Sequence, residues 1–104
     1  MVETIKLIGR SYDFSNILQE SYTETEREII GDVQSISQNE FYQAGRNGLN
    51  PQLKVVIYDF EWHGEKIVEV KGKRYSVYRT YSIMNTDHLE LYLEEKGGTK
   101  DDTE

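Results

Sequence analysis

Cysteine is missing from this 104-residue chain, histidine occurs twice and tryptophan once. Without cysteine neither a disulfide framework nor a thiolate metal site is available, and a reducing cytoplasm is the simplest setting. His63 lies in a turn-like segment and His88 at the head of a strand-like one. Neither has a second histidine at ligand spacing, and no HExxH, CxxC or GxxxxGK pattern occurs. No serine sits in a nucleophile-elbow context. Long apolar runs are missing too: MVETIKLIGRSYDF at the start is too short and wrongly flanked for a signal peptide, and no segment approaches a membrane span. Basic charge is in deficit. Nineteen acidic against twelve basic residues leave a net charge of −7, which repels phosphate backbones and argues against direct nucleic-acid binding. Plain solubility accounts for an acidic surface unless a second argument gives it another use.

What is present is alternation. From Gly64 to Gly98 the sequence writes three period-two strands, with Leu89, Leu91 and Leu93 alternating against His88, Glu90, Tyr92 and Glu94, so that one face is apolar and the other wet. Tyr75, Val77 and Tyr81 share a face of Arg74–Tyr81, and Val68 and Val70 share one of Glu65–Val70. Upstream, Thr4–Ile8 is a short strand with Ile5 and Leu7 on one face, and Ser11–Glu20 is an irregular polar excursion. Tyr22–Ile36 is a long extended run with Glu24, Glu26 and Glu28 on one side, and Gly31 predicts a bulge or bend. Lined-up like charges of this kind keep an edge solvated and discourage sheet aggregation. Leu53–Trp62 places Val56, Tyr58, Phe60 and Trp62 opposite Val55 and Ile57. The pairs His63-Gly64 and Lys71-Gly72 suit tight hairpins, so the sheet is expected to meander. Ser82–Asp87 reads as a loop.

One helix is specified. Ser37-Gln38-Asn39-Glu40 fits a capping box in which the Ser37 hydroxyl and the Glu40 carboxylate satisfy each other's amides, with Ile36 and Phe41 at staple positions. Gly45, Gly48 and Asn50-Pro51 end it, which predicts a helix from Gln38 to Arg46. Five or six strands with one short helix to cover them predict a mainly β fold: a small antiparallel barrel or sandwich with the helix in a long inter-strand connector. Residues 1–96 form a single domain and 97–104 a flexible tail. The eight tyrosines, large bodies with polar tips, suit a thin core or a subunit contact.

Asp59, Glu61, Glu65 and Glu69 could bring carboxylates together across the His63-Gly64 turn, as glycoside hydrolysis or calcium binding requires. The interspersed Lys54, Lys66, Lys71 and Lys73 explain them instead as cross-strand charge pairs. The chain therefore reads as a non-enzyme with no catalytic residue, cofactor or metal.

Several segments carry a resemblance: SISQNEFYQA from Ser35 to Ala44, GLNP from Gly48 to Pro51, Tyr58 and Phe60, GEK from Gly64 to Lys66, VKGK from Val70 to Lys73, Tyr75, YRTY from Tyr78 to Tyr81, and LELY from Leu89 to Tyr92. In order and spacing, over Val33 to Leu93, they resemble the head closure, or head–tail adaptor, proteins of tailed bacteriophages and prophages. Asn39 departs, standing where a smaller polar residue is commoner. The resemblance implies a β-barrel that is monomeric when free and joins a twelve-membered ring beneath the portal. Such a ring seals the packaged genome and offers the tail its docking surface. Its protein partners would be the portal or upstream connector ring and a downstream tail-completion protein. DNA would pass the lumen without specific binding, and no membrane is involved. The protein would occupy the host cytoplasm during assembly and the head–tail interface in the virion.

In that family an insertion between strands lies toward the channel and helps close it, and the matching positions are Ser37 to Asn50. Candidate connector and subunit-contact residues are Ser37, Gln38, Asn39, Glu40, Phe41, Tyr42, Gln43, Gly45, Arg46, Asn47 and Gly48. Tyr42, Gln43, Arg46 and Asn47 lead for neighbour contacts. Gly45 and Gly48 can absorb backbone changes, so the connector is a candidate movable element. Twelve copies would carry roughly −84, and a negative lumen lets DNA slide without sticking. Glu40 is the leading lumen acid, with Glu24, Glu26 and Glu28 behind it. Two alternatives stand beside this reading: an acidic module that mimics DNA and inhibits a nucleic-acid enzyme, and a small hydrolase using Asp59, Glu61 or Glu65.

Overall fold

The computed structural model describes residues 1–13 and 21–95. Most of the expected polar excursion and the expected C-terminal tail lie outside the described residues. Among the described residues there are six strands, β1 (Val2–Asp13), β2 (Ser21–Ser35), β3 (Pro51–Tyr58), β4 (Ile67–Val70), β5 (Lys73–Ser82) and β6 (His88–Glu95), with one α-helix, α1 (Gln38–Arg46), between β2 and β3. They close into an antiparallel barrel in the order β1-β2-β3-β6-β5-β4. The expectation of a small barrel with its helix in the connector holds.

Closure follows from the alternation. Inward positions carry Ile5, Leu7, Ile29, Val55, Ile57, Val68, Val70, Leu89, Leu91 and Leu93, all buried, with Val33, Leu53, Trp62, Tyr75 and Val77 packed around them. The seam is short: β1 meets β4 only through Lys6↔Glu69, Leu7↔Val68 and Ile8↔Ile67. Beyond it β1 and β2 continue to pair alone, out to Asp13↔Ser21.

Gly31 is not a bulge. The β1–β2 register runs unbroken through Glu3↔Gly31, and the residue faces inward. A Cβ there would come within 2.7 Å of Val55 Cγ1 and 3.1 Å of Ile5 Cδ1, so the barrel wall needs its smallest residue where Val55 crosses the bore.

Other departures have local causes. The first strand extends well past Ile8 because β2 offers it a partner throughout. Leu53–Trp62 does not run as one strand, since Asp59–Glu61 forms a 3₁₀ turn after β3. The turn sends Tyr58 and Phe60 outward while Trp62 packs on the core. His63-Gly64 is not a hairpin either. β3 and β4 are not neighbours, so this segment crosses the barrel mouth, and the sheet does not simply meander. Lys71-Gly72, with φ of 53° and 80°, does make the expected two-residue hairpin between β4 and β5.

In β5 the register shifts between Val77↔Leu93 and Arg79↔Tyr92, leaving Tyr78 as the extra residue. That bulge reverses the alternation, so Tyr81 faces solvent instead of sharing the inner face with Tyr75 and Val77.

The mouth crossover is held by Arg27, whose guanidinium donates to the Glu61 carbonyl at 2.6 Å and to Glu65 at 2.7 Å. Glu65 also accepts the His63 N–H at 2.7 Å, and the Trp62 indole donates to the Glu65 carbonyl at 2.9 Å. Outside, Arg74 of β5 reaches across β4 and β1 to Glu24 of β2 at 2.9 and 3.0 Å, passing Glu69 at 3.6 Å and Glu26 at 3.7 Å.

Gly31→Ala should lower stability by about 1–3 kcal/mol, because the stiff Val55 cannot yield freely. In urea melts the double variant Gly31→Ala, Val55→Ala should lose less than the two single losses combined, since the second change vacates the contested space.

Candidate functional site

The connector helix begins where the sequence places it. Ser37 has extended backbone, and its Oγ accepts the Glu40 N–H at 3.1 Å. Only half of the expected capping box forms, because the Glu40 carboxylate turns away to the barrel. At the other end Asn47 and Leu49 donate to the Ala44 carbonyl, and Gly48 takes the left-handed φ of 79° that lets the chain reverse. Arg46 lies in the last turn, favourably placed against the helix dipole. Ala44 is the one buried residue of α1.

What fixes α1 to the barrel is a polar clamp. Glu40 accepts the Tyr78 hydroxyl at 2.6 Å and two N–H groups of Arg79, at 2.5 and 3.3 Å. The Glu40 side chain is only 14% exposed. The bulge in β5 makes this possible, since it aims the consecutive side chains of Tyr78 and Arg79 at the same carboxylate. The Arg79 guanidinium in turn lies 3.9 Å from the Tyr92 ring centre. Tyr92 donates to Glu90 at 2.6 Å, and Lys54 meets Glu90 at 3.4 Å. A position expected to be wet is thereby covered: Tyr92 is 8% exposed.

The electrostatics follow the geometry. Arg79 holds the Glu40 carboxyl below its ordinary value, outweighing burial, with help from the Tyr78 hydroxyl. Arg79 is raised in return, chiefly by its bond to Glu40. Burial pushes the Tyr78 phenol up, and Glu40 adds to the rise. Tyr92, buried and bonded to Glu90, is pushed up to about 12. At the mouth, burial raises Glu65, but the bonds from Arg27 and the His63 amide prevail and the net shift is downward.

Of the candidate connector residues, the structure brings Glu40 into this cluster and leaves the rest outward. Phe41 is 48% and Tyr42 59% exposed, their rings 6.1 Å apart edge to face. Gln38, Asn39, Gln43, Gly45, Arg46, Asn47 and Gly48 are exposed, and Ser37 serves as the cap. Glu24 and Glu26 pair with Arg74, and Lys6 adds a 3.5 Å contact to Glu26. The clamp partners Tyr78, Arg79 and Tyr92 were visible only as pieces of short motifs. A bulge that turns Tyr78 and Arg79 to one side has no sequence signature of its own.

A second aromatic group sits at the barrel mouth. Tyr58 stacks on Phe60 at 5.4 Å and on His88 at 5.2 Å, and Phe60 is 68% exposed. The Asp59 N–H donates to the Asp87 carbonyl at 2.8 Å, tying the two loops that carry these rings.

Neither aromatic group is a cleft. A hollow of about 260 Å³ separates α1 from β5, and another of about 470 Å³ lies between β1 and the start of β4. Of the acids lining the latter, Glu24 is paired with Arg74 and Glu65 with Arg27. Among the described residues no three carboxylates or histidines converge on a point that could hold a metal ion. No described helix is long and apolar enough to cross a membrane. A scan against protein-family models and a search of curated proteins find no match to this chain.

Tyr78 and Tyr92 should ionise later than an ordinary tyrosine in an alkaline titration followed by near-ultraviolet absorbance. The double variant Tyr78→Phe, Tyr92→Phe should remove the late phase and leave the early one.

Proposed function

We propose that this chain is a structural, non-catalytic component of the head–tail connector of a tailed phage or prophage, a head closure protein that assembles as a ring below the portal. In that role it seals packaged DNA and presents the surface on which the tail docks. The observation that carries the reading is the pairing of a filled barrel with an outward-facing connector. The bore is packed with aliphatic side chains, while Phe41 and Tyr42 are held out to solvent on the helix inserted between β2 and β3. That arrangement suits contact with other proteins, and the bore itself is filled by side chains. The sequence resemblance over Val33 to Leu93 supports the specific assignment, and a small β-barrel with an insertion between strands is what that resemblance implies.

The disposition of acids bears on the DNA-mimic alternative. Glu24, Glu26, Glu69 and Glu90 each lie beside a lysine or arginine of another strand, and an imitation of a phosphate rail needs carboxylates clear of such partners. The hydrolase alternative loses Glu65, whose carboxylate is occupied by Arg27 and the His63 amide.

The purified chain should sediment as a monomer and co-sediment with rings assembled from portal and upstream connector protein. Phe41→Ser with Tyr42→Ser should weaken that association by at least about tenfold, with the melting temperature little changed because both rings are already exposed. Failure of the wild-type chain to bind such rings at any salt concentration overturns the reading.

A further inference from the structure

The connector helix rests on the barrel through very little. A nine-residue helix is marginal in water by itself, and α1 buries one alanine. Among the described residues, Glu40 alone carries side-chain hydrogen bonds from α1 to the barrel strands. Downstream, the Asn50 N–H donates to Glu94 at 3.2 Å, which fixes the end of the connector and not the helix. The barrel, by contrast, has its own continuous core and ladder, to which α1 contributes no inward side chain.

We propose that Glu40 is a latch: its carboxylate, gripped by the Tyr78 hydroxyl and the Arg79 guanidinium, docks α1 on the barrel wall, and neutralising it releases the helix while the barrel stays folded. The groups acting on the carboxylate are Tyr78 and Arg79 from β5 and Lys54 from β3, with Tyr92 of β6 beyond Arg79 and Glu90 bonded to Tyr92 and Lys54. Lys54 lies against Glu90, and Arg79 lies against both Tyr92 and Glu40. The net field at Glu40 is therefore positive, which favours its charged form. Release has a consequence for the surface as well. It frees the Tyr78 hydroxyl and the Arg79 guanidinium together, a pair of donors that Glu40 otherwise occupies.

The sign of the pH effect follows. Because folding lowers the Glu40 carboxyl, the latch is fully engaged above its ordinary value of 4.5 and disengages as pH falls below that, through the lowered value. Neutral pH keeps it shut.

Hydrogen exchange read by mass spectrometry on the full chain tests this without reference to ring assembly, so its outcome is separate from that of the connector reading. In Glu40→Gln, amides over residues 38–46 should exchange about tenfold faster or more, as expected for loss of a charge-assisted bond, while those over β6 keep wild-type rates. Arg79→Gln should behave alike. In wild type, protection over 38–46 should drop as pH is taken below 4.5, after correction for intrinsic rates, and the variant should lack that step. Unchanged protection over α1 in both variants, or loss over α1 and β6 together, overturns the proposal.

Discussion

Everything in this molecule hangs on the closure of β1 against β4. Six strands must hide their apolar face from water and their edges from other chains, and rolling into a tube does both. Yet the seam consists of three residue pairs, Lys6–Ile8 with Ile67–Glu69. It is reinforced from both sides. Outside, Arg74 spans it to reach Glu24, and within the mouth Arg27 grips the crossover that delivers β4 to its place. Exposed ion pairs contribute little singly. Their value here is geometric, since Arg74 and Arg27 each tie segments that are far apart in sequence across the line where the tube could open.

The strands were legible because their side chains alternate, and the helix because its ends carry specific chemistry: a serine cap, then Gly48 in a left-handed turn. The inner face of β6 and the Lys71-Gly72 hairpin follow from the same rules. What the sequence did not disclose is non-local. Gly31 looks like a bend until Val55 is placed across from it. Tyr81 changes face because of one extra residue in β5, and an isolated tyrosine-arginine pair carries no mark of that bulge. The crossover at His63-Gly64 imitates a hairpin because Gly64 does adopt the positive φ of a turn, at 87°, although the strands flanking it are not partners. Glu40 satisfied a capping rule on paper while its carboxylate found stronger partners a helix-width away. Local patterns thus named the elements, and side chains distant in sequence decided where several of them point.

The two ends of the aromatic inventory do different work. Tyr75 and Tyr92 are drawn into packing, whereas Phe41, Tyr42, Tyr58 and Phe60 are turned out. Each exposed group is carried by an element tied to the barrel: α1 through the Glu40 clamp in one case, the 3₁₀ turn bonded to the β5–β6 loop in the other. Large rings presented with few degrees of freedom lose little entropy when a partner covers them. The polar chemistry, meanwhile, is concentrated where elements join, at Glu40 and at Glu65, and both carboxyls are held in their charged form by arginine.

The packed bore has a geometric corollary. Leu7, Val55, Val68, Leu91 and Leu93 meet on the axis with no measurable exposure, so nothing the width of a nucleic acid can thread a single subunit. Any passage enclosed by copies of this chain must run among their outer walls. Its diameter is then a property of copy number and tilt, adjustable by stoichiometry without altering a single strand.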